Sequence, residues 1–260
     1  MLFGQHAGRL EKGDLLKHVT YILVHGAWHG AWCWRKVLPP LLAAGHTVFT
    51  PDLPGLGLDQ TKPSDVSFYA GVARVLDLVD RASGPVILVG HGLGGMTISQ
   101  VAEERPENIR WLVYVAALLP RDGESALDIQ NEVLAHNTAL ARSIESNATS
   151  VRLRLNNVPE LFYHDCERED VLFAQKLLRP QPLRPLTVPV TLSQEFERVP
   201  RVYVTCEYDR VISSESQARM YRATPCEHIL WLPGGHAPFW SVPTRLAARL
   251  QGLSLAENQL

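Results

Sequence analysis

The chain has 260 residues, of which 46% are hydrophobic and 20% are charged, and its formal net charge at pH 7 is −2. This length suits a single α/β domain with one hydrophobic core. A weakly acidic chain offers no basic face for nucleic acid or an anionic membrane, and no apolar run reaches the roughly 18 residues of a membrane span.

Apolar runs of strand length alternate with segments of helical spacing in the first half of the chain. This pattern predicts strands at 18–25, 46–50, 85–90 and 109–117, and helices at 32–44, 65–82 and 93–105. Strands that alternate with helices pair in parallel through crossover connections. We therefore expect a mostly parallel, doubly wound sheet.

The alternation breaks between Leu118 and Arg198, where helical fragments and scattered prolines occur without a strong strand. It resumes with strands at 201–206 and 227–232, each followed by a helix, at 213–223 and 242–253. An insertion in such a sheet is expected to cover the carboxyl ends of the strands, where ligands bind. We predict one domain, with an α/β core of residues 1–117 and 199–260 and a helical cap of residues 118–198.

The segment Val89-Gly90-His91-Gly92-Leu93-Gly94 joins a predicted strand to a helix. In the G-x-S-x-G elbow of α/β-hydrolases, a sharp turn at this place exposes the nucleophilic serine at the top of the sheet. Both flanking glycines are kept here, but Gly92 stands at the serine position. Gly90, Gly92 and Gly95 also match the spacing of a dinucleotide-binding loop, yet the strand that follows carries no acidic residue to bind a ribose.

Two further candidates follow strands in the second half of the chain. Asp209 comes just after the strand 201–206, and His236 lies in a glycine-containing loop after the strand 227–232. Position 92, then Asp209, then His236 is the chain order of nucleophile, acid and base in α/β-hydrolases. A carboxylate orients a histidine and stabilises its charged form, which allows it to act as a base.

The turn after the first strand predicts one half of an oxyanion hole. In this fold one backbone N–H comes from that turn and the other from the residue after the nucleophile; these would be Ala27 and Leu93. Backbone N–H groups donate without a side chain, so a glycine at position 92 leaves both donors in place. We interpret His25 and His91 as structural residues that bond backbone groups near the elbow.

With these residues, the chain resembles the plant-type methylesterase and hydroxynitrile-lyase family and its bacterial esterase relatives. The resemblance rests on these motifs: HGAWHGAWCW at 25–34, PDLPGLG at 51–57, VGHGLGGM at 89–96, LFYHDC at 161–166, YVTCEYDRVI at 203–212 and GGHAPF at 234–239. It implies an α/β-hydrolase fold. The family's elbow reads GHSLGG, so Gly92 departs from it at the nucleophile. Its lyases carry a lysine after the catalytic histidine, where Ala237 stands here, so a cyanohydrin substrate is not expected.

Three functions remain open. A natural enzyme without covalent catalysis would use His236 and Asp209 as a general acid or base for cyclisation, elimination, isomerisation or water attack. Alternatively, this chain is a Ser-His-Asp carboxylesterase whose serine was replaced by Gly92 for structural work. A pseudo-hydrolase that binds a small molecule without reaction is the third.

The expected partner is a small, largely apolar substrate. The predicted pocket consists of His25, Gly26, Trp28, His91, Phe162 and Phe239. No cofactor and no metal site are expected, and a homodimer is an open possibility. Cys33, Cys166, Cys206 and Cys226 form no CxxC pair, and Met1–Lys17 lacks the apolar stretch of a signal peptide. These features predict a reduced, cytoplasmic protein.

Overall fold

The computed structural model describes residues 18–255. Its main sheet has six strands in the order β2-β1-β3-β4-β8-β9, and every neighbouring pair is parallel. The strands are β1 (Thr20–Val24), β2 (Thr47–Phe49), β3 (Val86–His91), β4 (Ile109–Val115), β8 (Arg201–Cys206) and β9 (His228–Leu232). The predicted fold class, an α/β-hydrolase fold with a mostly parallel sheet, is confirmed. The signal-peptide prediction concerns Met1–Lys17, which lies outside the described residues.

The central strands are buried along their whole length. All five residues of β1 and all six of β3 are buried, because helices cover both faces of the sheet. A strand that is buried on both faces reads as a continuous apolar run, which is why TYILV and VILVGH were recognisable as strands. These two strands pair over five residues, from Thr20 opposite Val86 to Val24 opposite Gly90.

Twelve α-helices occur in residues 18–255. They are α1 (Leu38–Ala43), α2 (Phe68–Asp80), α3 (Gly94–Glu104), α4 (Ala126–His136), α5 (Thr138–Arg142), α6 (Val158–Phe162), α7 (Arg168–Leu177), α8 (Arg184–Thr187), α9 (Gln194–Glu197), α10 (Ser214–Ala223), α11 (Pro238–Ser241) and α12 (Pro243–Leu255). Short 3₁₀ helices lie at Ala31–Lys36, Pro63–Asp65 and Pro106–Asn108. None of the helices within 18–255 is both long and apolar enough to cross a membrane.

The helix predicted at 32–44 is wrong as a single element. The structure has a 3₁₀ helix at Ala31–Lys36, followed by α1. Pro39 and Pro40 occupy the first turn of α1. Proline lacks the N–H that a continuing helix needs and clashes with the preceding turn. It is tolerated at a helix start, so the prolines separate the two elements.

The segment between β4 and β8 carries helices α4 to α9, as predicted, but also a three-stranded antiparallel sheet that the sequence did not reveal. Its strands are β5 (Ile144–Ser146), β6 (Ser150–Leu153) and β7 (Gln181–Pro182). The Asn147 side chain accepts the N–H groups of Thr149 and Ser150 at 2.9 and 2.8 Å, which closes the β5–β6 turn. Strands of two to four residues are too short to show a period-two pattern.

A buried carboxylate binds this segment to the 3₁₀ helix that follows β1. Asp170 at the start of α7 is 2% exposed and accepts hydrogen bonds from Arg35 and Lys36, each at 2.5 Å. The Arg35 guanidinium also lies 4.1 Å from the centre of the Phe173 ring. Two cations and an aromatic face therefore hold α7 against the 3₁₀ helix after β1.

Candidate active site

Asp209 and His236 meet at the carboxyl edge of the sheet. They follow β8 and β9, which are parallel neighbours, so both loops leave the sheet at the same edge. His236 Nδ1 donates to Asp209 Oδ2 at 2.8 Å. The second carboxylate oxygen accepts the backbone N–H groups of Val211 and Ile212 at 2.7 and 2.9 Å. The backbone N–H groups thus hold the carboxylate in place, and the carboxylate in turn orients the imidazole.

Gln217 is a site residue that sequence reasoning missed. It lies in α10, is completely buried, and its Nε2 donates to Asp209 Oδ2 at 3.2 Å and to the Ile212 carbonyl at 2.7 Å. Its Oε1 accepts from Thr205 Oγ1 at 2.9 Å. The amide therefore ties the acid loop to the end of β8. A glutamine one turn into an amphipathic helix gives no signal of this in the sequence.

The other ring nitrogen of His236 is turned toward Gly92. Gly92 lies between β3 and α3 with φ +51°, and a Cβ built on it would lie 3.7 Å from His236 Nε2. Because Nδ1 donates to a carboxylate, Nε2 carries the lone pair. No group within residues 18–255 donates a hydrogen bond to that atom. The site therefore contains an oriented imidazole whose Nε2, in the neutral ring, presents a lone pair beside a residue without a side chain.

The glycines on either side of Gly92 are required by close packing. A Cβ on Gly90 would lie 2.8 Å from the Gly94 carbonyl carbon, and a Cβ on Gly94 would lie 2.7 Å from the Val24 oxygen. Real Cβ atoms do not approach backbone this closely. These contacts are those expected where a strand turns sharply into a helix.

Ala27 and Leu93, the two predicted backbone donors, both line the cavity beside His236. Within residues 18–255, neither N–H donates to another group of the protein. Leu93 immediately precedes α3, whose first N–H groups lack intrahelical partners and carry the positive end of the helix dipole. Both N–H groups are thus available to an oxygen bound in the cavity.

His25 and His91 are buried and bond backbone groups. His25 Nδ1 donates to the Gly26 carbonyl at 2.9 Å, and its Nε2 accepts the Leu53 N–H at 3.0 Å. His91 Nε2 donates to the carbonyl of His236 at 2.7 Å. Burial, above all, lowers the pKa of both residues below the usual histidine range. His91 lines the cavity, whereas His25 does not, because both its ring nitrogens are engaged beneath the turn.

His29 pairs with Tyr163, a contact that sequence reasoning missed. The Tyr163 hydroxyl donates to His29 Nε2 at 2.6 Å, and His29 Nδ1 donates to the Ala27 carbonyl at 2.7 Å. Burial lowers the pKa of His29 to about 3, so it is neutral at physiological pH. The pair fixes the turn that contains Ala27 from the side of the inserted segment.

Trp28 is held in a left-handed conformation, with φ +64°. Such a backbone angle costs a non-glycine residue on the order of 1–3 kcal/mol and persists only when its surroundings impose it. The Trp28 indole N–H donates to the Val151 carbonyl at 3.0 Å, and its backbone N–H donates to Gln181 Oε1 at 3.4 Å. The inserted segment therefore holds the turn after β1 in place.

The cavity above Gly92 is mostly apolar. Trp28 and Phe162 form an aromatic wall, with the Phe162 ring centre 5.5 Å from that of His236. The other lining residues are Gly26, Ala27, His29, His91, Gly92, Leu93, Leu118, Gln130, Val133, Leu140, Gln181, Leu186, Val211, Ile212 and His236. Phe239, predicted in the pocket, does not line it. It is fully buried behind His91, with ring centres 4.9 Å apart.

Residues 18–255 contain no group of three or more His, Cys, Asp or Glu side chains arranged to hold a metal ion. The His236–Asp209 pair and the backbone N–H groups of Ala27 and Leu93 lie together at an apolar cavity. This combination can move a proton and stabilise a developing oxyanion.

The chain belongs to the alpha/beta hydrolase family, whose model matches residues 21–249. Among its relatives, a pheophorbidase from Raphanus sativus is 32% identical over 244 residues, which are 89% of this chain and 92% of that protein. Methyl jasmonate esterase 1 from Vitis vinifera is 30% identical over 249 residues, which are 89% of this chain and 95% of that protein. The crystal structure of a pyrethroid hydrolase from Sphingobium faniae superimposes with a TM-score of 0.84 at 28% identity, over 94% of this chain and all of that one. The chain is thus an alpha/beta hydrolase related to methylesterases.

Proposed function

We propose that this protein hydrolyses small, largely apolar carboxylic esters without a covalent intermediate, with His236 as the general base that activates water. The observation that carries this proposal is the free Nε2 of His236, which faces the cavity beside Gly92 while Nδ1 is bonded to Asp209 at 2.8 Å. A general base must lie within hydrogen-bond reach of the proton that it removes, and the lack of a side chain at Gly92 leaves room for water there.

The reaction would proceed in two steps. His236 Nε2 takes a proton from water as the water oxygen bonds to the ester carbonyl carbon, and the carbonyl oxygen becomes an oxyanion bound by the N–H groups of Ala27 and Leu93. His236 then returns the proton to the alkoxide as the carbon–oxygen bond breaks, which yields an acid and an alcohol. Asp209 stabilises the imidazolium that forms in between.

The relatives support ester hydrolysis over the other general acid–base reactions open to this site. Two of them are named as a methyl jasmonate esterase and a pyrethroid hydrolase. The apolar walls of the cavity fit uncharged substrates. We further propose that residues 118–198 act as a cap on a core of residues 1–117 and 199–260, since Val133, Leu140, Phe162 and Leu186 complete the cavity.

The second candidate is a Ser-His-Asp carboxylesterase in which Gly92 replaces the serine. One observation favours it: a Cβ at position 92 would lie 3.7 Å from His236 Nε2, a distance that suits a serine hydroxyl one bond further on. The two candidates differ in what the chain does with Gly92 in place, because only the first predicts turnover that depends on His236.

The test is a comparison of His236→Ala with the unaltered chain on short aryl and methyl esters. General acid–base catalysis contributes about 10²–10⁴-fold, so the variant should lose a factor of that size in kcat. The matched control is His228→Ala on β9, since that side chain is 49% exposed and belongs to no part of the site. Equal rates for His236→Ala and the unaltered chain would contradict the proposal, as would the absence of any turnover.

A further inference from the structure

A second cavity adjoins the candidate active site. Its walls are the loop after β2 (Leu53, Pro54 and Leu56), residues 66–68 and 71 at the start of α2, and Met96 and Thr97 in the first turn of α3, with Pro185 from the inserted segment. It shares Gly26, Leu93 and Gln181 with the main cavity. Including the open space at its mouth, the main cavity measures about 600 Å³. The second cavity, measured in the same way, has about 430 Å³.

The shared residues mark the place where the carbonyl of a substrate would lie. Leu93 supplies one of the two free N–H groups, and the peptide between Gly26 and Ala27 supplies the other. A carbonyl oxygen bound to both would have its carbon at the boundary between the cavities. The two substituents of that carbon would then leave in different directions, one into each cavity.

The walls of the second cavity select for an apolar group. No charged side chain lines it. The Ser67 hydroxyl already accepts the Ala70 N–H at 3.1 Å, as the N-cap of α2. The remaining walls are aliphatic and aromatic apart from Thr97 and Gln181, so a hydrocarbon chain would be favoured there by the burial of its surface.

The boundary of the second cavity is rigidly built. The Leu53 N–H donates to His25 Nε2 at 3.0 Å, which joins the loop after β2 to the turn at Gly26 and gives this buried histidine a role. On the other side, Gln181 is 2% exposed, and its Oε1 accepts the Trp28 N–H at 3.4 Å. A preformed boundary of this kind favours binding, because little ordering is needed when a ligand enters.

We propose that the second cavity binds one apolar arm of the substrate, so that the substrates of this protein are esters with a hydrocarbon group on each side of the carbonyl. The aromatic walls at Trp28 and Phe162 fit an aryl group in the main cavity, and the second cavity takes an alkyl chain. This inference rests on the proposed function only in placing the carbonyl oxygen at Ala27 and Leu93.

The test measures binding, so that it does not depend on turnover. Phenyl alkyl ketones from acetophenone to hexanophenone carry the carbonyl but no leaving group, and their dissociation constants can be measured by calorimetry. Each added methylene buried in the cavity should tighten binding by up to about fourfold, the equivalent of ~0.8 kcal/mol.

Gly71→Leu should remove this dependence on chain length. A Cβ on Gly71 would meet one atom within 4 Å, Leu53 Cδ2 at 3.8 Å, so the backbone has room for a side chain that fills the cavity. Acetophenone should bind the variant within about twofold of the unaltered chain. The matched control is Ala73→Leu, on the exposed side of the same helix, which should keep the full dependence. If thermal melting shows that Gly71→Leu does not fold, Gly71→Val takes its place.

Three results would overturn the inference: affinity that does not rise with chain length, an unchanged rise in the Gly71 variant, or no saturable binding by any ketone. Its failure is distinguishable from failure of the proposed function. A chain that binds the long ketones through this cavity but hydrolyses no ester would leave the cavity assignment standing and contradict only the hydrolysis.

Discussion

Gly92→Ser tests the geometry of the site most directly. The new Cβ would lie 3.7 Å from His236 Nε2 and 3.7 Å from the Gly26 Cα, and apart from its two chain neighbours no other described residue has an atom within 4 Å of it. The side chain therefore fits without displacing a neighbour. Its hydroxyl, one bond beyond Cβ, comes within the hydrogen-bond reach of about 2.6–3.2 Å that links a nucleophile to its base.

The expected gain in activity is large. Removal of a triad serine costs on the order of 10⁶ in kcat, so restoring one beside an oriented His236 should raise ester hydrolysis by several orders of magnitude. The Ser variant should also react with a serine-directed fluorophosphonate, whereas the unaltered chain should not. An ester assay measures the gain in hydrolysis, and the mass of the intact protein shows whether the fluorophosphonate has reacted.

The same substitution should cost stability. Gly92 has φ +51°, where a residue with a Cβ is strained by on the order of 1–3 kcal/mol. In a chain of this size, that strain lowers Tm by about 2–10 °C. Gly92→Ala is the matched control, because it carries the same strain without a hydroxyl: it should melt lower and gain neither activity nor labelling.

Two outcomes would refute this reasoning. A Ser variant that neither hydrolyses esters nor reacts with the fluorophosphonate would mean that His236 Nε2 cannot activate a group at position 92. An Ala variant that melts higher than the unaltered chain would mean that the turn at Gly92 is not strained, and the assignment of position 92 as a nucleophile elbow would have to be withdrawn.

The remaining predictions concern the acid and the buried histidines. Asp209→Asn should lower ester hydrolysis with little loss of binding, by no more than the factor of about 10²–10⁴ expected when His236 is removed, since an amide can favour the wrong tautomer of His236. An unchanged rate would mean that Asp209 does not orient the base. Stability should fall as the pH drops from about 6.5 toward 3, because the pKa of His29 is lowered to about 3 and the unfolded chain takes up a proton there that the folded chain does not. His29→Phe should reduce the slope of the unfolding free energy by up to about 1.4 kcal/mol per pH unit in this range, as measured by urea unfolding, whereas exposed His136→Phe should not; equal slopes would contradict the burial argument.

Much of the fold was readable from the sequence because its central strands are buried on both faces. Strands β1, β2, β4, β8 and β9 lie within their predicted ranges, and β3 ends one residue beyond its range, at His91. The strands β5 to β7 were missed because two to four residues show no period. Proline chemistry, which the periodicity did not weigh, divided the helix expected at 32–44.

The chain by itself also determined the order of Gly92, Asp209 and His236 and their positions at strand ends. Only the tertiary structure decided how close they lie, and which of the other polar residues support them. Gln217 bonds Asp209, and Tyr163 bonds His29 across 134 residues of chain, whereas His25 and Phe239 lie behind the cavity wall. The physical reason is that local spacing governs the backbone's choice of helix or strand, but a side chain's partners depend on which distant elements pack against it. The second cavity arises in the same way, where the loop after β2, α2 and α3 meet.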